Sequence, residues 1–102
     1  MTIKQPEHCG SINEIRDQID EIDQKIIELF AKRQEFVHEI VQFKTDEESV
    51  IALDRKNKVI QQRGQWAKQS GLDRELFSHI FKILIDHNIK RELDLLTSNQ
   101  TK

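Results

Sequence analysis

The stretch "IRDQIDEIDQKIIELFAKRQEFVHEIVQFK", Ile15 to Lys44, decides the fold. Alternating steps of four and three from Ile15 pass through Ile19, Ile22, Ile26, Leu29, Arg33, Phe36, Ile40 and Phe43. That is the apolar seam of an amphipathic helix, and Arg33 is its charged member. Just upstream, Ser11 followed by Glu14 matches a capping box, in which the serine oxygen accepts a first-turn N–H and the glutamate reaches back to the cap. Together they predict one helix over about 11–43, about 50 Å long at 1.5 Å per residue. A compact chain of about 100 residues has a radius of gyration of only about 13 Å, too small to cover such a helix. The seam therefore predicts packing against a second copy as well as the chain's own later helices, giving an intertwined homodimer.

Beyond the seam the chain stays helical in character. Pro6 is its single proline, and its three glycines fall at Gly10, Gly64 and Gly71. "KTDEESVI" interrupts the apolar pattern, with Asp46 or Ser49 able to cap a second helix over about 48–69. In "QSGLDREL", Gly71 suits the left-handed position after a helix and Asp73 the cap of a third helix over about 74–96. Residues 1–10 and 97–102 read as flexible tails. The expected architecture is all-α: three helices in a single domain over residues 1–102.

Bulk composition narrows the function. The chain has 102 residues, 36% hydrophobic and 33% charged, with a net charge of −2. It lacks the basic excess that phosphate-backbone binding needs, so nucleic acid is not an expected partner. There is no apolar run of membrane-spanning length and no secretory h-region at the start, so the expected location is the cytoplasm. A single cysteine, Cys9, excludes an intrachain disulfide, and His8, His38, His79 and His87 show no metal-ligand spacing, so no metal is expected.

Several polar residues stand out of place. An arginine on a seam often lays its stem along apolar surface and reaches water, which is the plain reading of Arg33. Arg16, Lys44 and Arg55 give it company. Arg16 and Arg33 are roughly 25 Å apart on one helix, too far to share a small ligand within a subunit. In an antiparallel dimer, Arg16 of one chain can complete a site around Arg33 of the other. On the third helix Phe81, Leu84 or Ile85, Asn88, Glu92 and Leu96 follow at helical steps, so Asn88 and Glu92 share an otherwise apolar face.

These residues carry a resemblance to a known family, the all-helical (type II) chorismate mutases, over about residues 6–96. The family pattern IRxxIDxIDxxIxxLxxxR is similar to "IRDQIDEIDQKIIELFAKR" from Ile15 to Arg33, followed at intervals of eleven by Lys44 and Arg55. Within that family "PEHC", "FKTDEESV" and "RGQWAKQSGLD" most resemble the isochorismate-pyruvate lyases of salicylate-forming siderophore pathways. The resemblance implies a pericyclic reaction, without cofactor, on a small-molecule dicarboxylate that carries an enolpyruvyl ether. Two carboxylates call for cationic partners in a pocket that excludes water, which fits Arg33, Arg55 and the other chain's Arg16, with Asn88 as a further substrate-binding residue. Negative charge grows on the ether oxygen as its bond breaks, so catalysis needs donors held at that atom, the expected roles of Lys44 and Glu92.

Two positions depart from the family pattern. Where many members have glutamine, Glu92 offers a carboxyl group that donates to the ether oxygen only when protonated, so activity is expected to fall as pH rises. Where bacterial mutases often have a glutamate for the ring hydroxyl, this chain has Lys56, a likeness to the lyases. Chorismate mutase is the first expectation, isochorismate-pyruvate lyase the second, and a non-catalytic helical dimer module the third.

Overall fold

The computed structural model describes residues 4–100 and, of Asn99 and Gln100, the backbone. The outer ends of the expected tails, residues 1–3 and 101–102, lie outside the described residues. The described residues form helices and no strand: a 3-10 turn Pro6–His8, α1 (Ile12–Ile40), a 3-10 turn Val41–Phe43, α2 (Glu47–Ile51), α3 (Leu53–Gln69) and α4 (Arg74–Gln100). The chain divides into two compact units, Met1–Phe36 and Val37–Lys102.

The first unit is built on α1. Ser11 Oγ accepts the Glu14 N–H at 3.1 Å, as a cap should. The Glu14 carboxylate differs from the expected box: it accepts from the Gly10 N–H, one residue earlier than the cap. Its other oxygen meets the Lys4 ammonium at 3.2 Å, and the Lys4 amide donates to Gln18 Oε1 at 2.7 Å. Lys4 to Gly10, expected to be a loose tail, is thus tied along the first turns of the helix. These bonds, the Gly10 amide first and Lys4 next, hold the Glu14 carboxyl below its ordinary value of 4.5.

Helix α1 is 29 residues long, about 43 Å at the standard rise. It stops as an α-helix at Ile40 rather than at the expected Phe43, because Val41–Phe43 tighten into a 3-10 turn. No residue of α1 is buried, and its seam is open: Ile15 is 43% exposed, Ile22 37% and Phe36 69%.

The second unit contains the core, with Val41, Val50, Val59, Ala67 and Leu96 buried. The single helix expected over 48–69 is in fact two. Asp46 caps α2, its side chain accepting the Ser49 N–H at 2.8 Å while Ser49 Oγ receives the Asp46 N–H. After five residues Ala52 takes the left-handed conformation, φ 41° and ψ 59°, which costs an alanine about 1–2 kcal/mol. Its N–H donates to the Glu48 carbonyl and its own carbonyl accepts from Lys56, both at 2.9 Å, so one residue closes α2 and opens α3. Burial of Val50 at 2% exposure offsets that strain by anchoring α2.

The α3–α4 connection forms as its residues predict. Gly71 sits at φ 78°, the Leu72 N–H returns to the Ala67 carbonyl at 2.8 Å, and the Gly71 N–H returns to Lys68 at 3.1 Å. That is a complete Schellman closure. Asp73 then caps α4, accepting the Leu76 N–H at 2.9 Å. The two helices run antiparallel and approach closely at Gly64, where an added Cβ would collide with Ser78 Oγ and lie 3.1 Å from Arg74 Cγ. Helix α4 continues to Gln100, past the expected end at 96, since no glycine or proline follows Gly71 to stop it.

Candidate active site

One turn of α4 separates Asn88 from Glu92, and both are buried, at 8% and 5% exposure. A buried carboxylate is costly unless something neutral or cationic answers it. Lys44 does so. The extended backbone of Lys44, just beyond the Val41–Phe43 turn, sends its side chain back to α4, and Nζ donates to Glu92 Oε1 at 3.0 Å. The two side chains are 19% and 7% exposed. Buried Val41 lies on the turn before Lys44, and buried Leu96 lies one turn beyond Glu92, so the ion pair is flanked in the chain by residues of the core. Little water is left to screen it, which makes each charge act more strongly than it would at the surface.

The remaining candidates are distributed along the chain. Arg16 is exposed in the second turn of α1, and Arg33 is half-buried farther along it, in the same unit. A straight α1 keeps them roughly 25 Å apart. Arg55 is exposed in the first turn of α3, in the unit that holds Lys44, Asn88 and Glu92. The structure therefore brings Lys44 to Glu92 beside Asn88, and it holds Arg16 away from Arg33 within one chain.

A second charged cluster joins α3 to α4. Lys56 Nζ meets Asp86 Oδ1 at 2.5 Å, and Lys82 Nζ meets Asp86 Oδ2 at 3.1 Å. The hydrogen bonds from Lys56 and then Lys82 hold the Asp86 carboxyl below its ordinary value of 3.8. Lys82 and Asp86 stand four apart, a readable helix pair. The partner from α3 was not readable, because it depends on the register between two helices.

Farther along the hairpin, the Arg63 guanidinium lies 4.4 Å from the Trp66 ring centre and 6.0 Å from that of Phe81, a cation–π stack across the same two helices. No described helix is long and apolar enough to cross a membrane.

Comparison with known proteins adds the family context. The family model for chorismate mutase type II matches residues 15–93. An isochorismate pyruvate lyase of Pseudomonas aeruginosa is 30% identical over 91 residues, which are 89% of this chain and 90% of that protein. A chorismate mutase of Methanocaldococcus jannaschii is 33% identical over 90 residues, 87% of this chain and 91% of that protein. A bifunctional chorismate mutase/prephenate dehydratase of Buchnera aphidicola is 30% identical over 82 residues, which span 79% of this chain and 21% of that longer protein.

Proposed function

The chain belongs to the chorismate mutase type II family, and from that premise we propose that it is an enzyme converting chorismate to prephenate. The observation that carries this reading is the buried Lys44–Glu92 pair beside Asn88. In the rearrangement the ether C–O bond breaks as a new C–C bond forms, and electron density collects on the ether oxygen. A cation already largely withdrawn from water stabilises that charge with little rearrangement of solvent. Lys44 is this donor. With substrate bound, its ammonium turns from Glu92 Oε1 to the ether oxygen, and Glu92, taking up a proton as the ion pair opens, donates from the other side. Nothing in the step requires a nucleophile, so holding the substrate in its reactive conformation supplies the rest.

The two substrate carboxylates take Arg33 and Arg55, with the partner subunit's Arg16 completing the pocket and Asn88 binding a further polar group. Two facts support a homodimer built on α1: its apolar seam is open along its length, and Arg16 lies too far from Arg33 to serve the same ligand from one chain.

Lys56 favours a second reading, an isochorismate-pyruvate lyase, as does the Pseudomonas relative. There the same C–O bond breaks while a ring hydrogen moves to the enolpyruvyl methylene, leaving salicylate and pyruvate. Assay of the purified protein with chorismate and with isochorismate, following prephenate and salicylate, tests both. A higher kcat/KM toward prephenate is the expected result. Preferential salicylate makes the chain a lyase, and neither product removes the enzymatic reading.

A further inference from the structure

The Lys56–Asp86–Lys82 cluster lies outside the chemistry assigned above, and its position gives it a role. Asp86 is two residues before Asn88, a rotation of about 200° around α4, and six before Glu92, about 120° away, so its side chain leaves the helix on a different face from either. It faces α3 instead, where Lys56, with its side chain only 20% exposed, meets it at 2.5 Å.

What this contact secures is the open end of α3. That end begins at the left-handed Ala52 and has no side-chain cap, so its first amides gain nothing from the capping interaction that steadies α2 at Asp46 and α4 at Asp73. Arg55 stands in this uncapped first turn, and Lys56 directly follows it. On a helix the two side chains leave about 100° apart, so tying Lys56 to α4 sets both the rotation of the turn and the direction of Arg55. Asp86 also occupies the Lys56 charge, which would otherwise compete with Arg55 for the same carboxylate. Lys82 belongs to Asp86's own helix and balances its charge without holding α3.

We infer that Asp86 is a positioning residue for substrate binding: through Lys56 it holds the uncapped start of α3 so that Arg55 meets a substrate carboxylate. This rests on the reading above that Arg55 binds that carboxylate, and the depressed titration of Asp86 agrees with a persistent contact.

The test is steady-state kinetics on the full chain for Asp86→Asn, Lys56→Gln, their double variant, Arg55→Ala, and Asp86→Asn combined with Arg55→Ala. Breaking the pair from either side should raise KM roughly five- to tenfold, with kcat within about twofold, and the Lys56/Asp86 double variant should be no worse than either single one. In the Arg55→Ala background, Asp86→Asn should raise KM no further. A lowered melting temperature with unchanged KM would make the pair a brace alone and overturn the inference. So would an equal rise in KM with and without Arg55. If Arg55→Ala itself leaves KM unchanged, the assignment of Arg55 falls and this inference with it, whereas an effect of Arg55→Ala without one of Asp86→Asn removes only the inference. Should Asp86→Asn not fold, Lys56→Gln breaks the same pair from α3 and decides the matter.

Discussion

The two units of the chain use apolar residues in opposite ways. In Met1–Phe36 the isoleucines of α1 form a regular seam in which nothing is buried. In Val37–Lys102 a few small residues, Val41, Val50, Val59 and Ala67 with Leu96, are buried on α2, α3, α4 and the turn before α2, and polar Asn88 and Glu92 are buried with them. One unit has apolar surface without cover, and the other spends part of its small interior on a charge pair. Neither adds to the stability of a single chain, since burial of apolar side chains is the main favourable term in folding and buried ions are a weak source of stability. The contrast is what the proposed homodimer and the proposed site require: a second copy to cover the first unit, and a second unit that trades stability for chemistry.

The sharpest way to break that account is at the buried pair. Lys44→Ala should cost about 3 kcal/mol or more of transition-state stabilisation, a loss of at least about a hundredfold in kcat/KM, with helicity by circular dichroism retained. Near wild-type turnover would remove Lys44 from the mechanism.

Next in size is the open seam. Ile22→Asp gives up about 1.5–3 kcal/mol of burial in each copy and places a charge in the proposed interface, so sedimentation should show monomer and activity should fall with it. A fully active monomer would end the idea of a shared site.

Within the second unit, Gly64→Ala should lower stability by about 1–3 kcal/mol, because the new methyl meets Ser78 and Arg74 where α3 and α4 approach. Denaturant unfolding reads this directly, and α1 should show no matching change in helicity.

The smallest effect is acid sensitivity, and it touches both units. Glu14 in the first and Asp46 and Asp86 in the second all titrate below their ordinary values of 4.5, 3.8 and 3.8 when folded. Their contribution is present above those ordinary values and is lost as pH falls through the depressed folded ones. The melting temperature should therefore be level above about pH 5 and decline below about pH 4. Glu14→Gln should soften the part of the decline that belongs to the first unit, as thermal scans across pH would register.

Much of the fold was legible because it is written in spacing along one chain. Steps of three and four placed α1 and put Asn88 and Glu92 on one face of α4; Ser11, Asp73 and Gly71 marked helix ends because caps and left-handed turns depend on residues a few positions apart. Where local signals were weaker the reading slipped. Ala52 carries no mark of a left-handed residue, so the break between α2 and α3 was invisible, and the missing stop after Leu96 let α4 run on.

The sequence by itself determined an all-helical chain with one long seam, a set of cations at regular intervals and two polar residues set into an apolar face. Only the tertiary structure decided that Lys44 reaches Glu92 across 48 positions, that Asp86 answers Lys56, and that Gly64 is where two helices touch. The physical reason is that helix formation depends on neighbours within a turn or two. The meeting of one helix with another depends on a register set by packing, to which residues far apart in the chain contribute together.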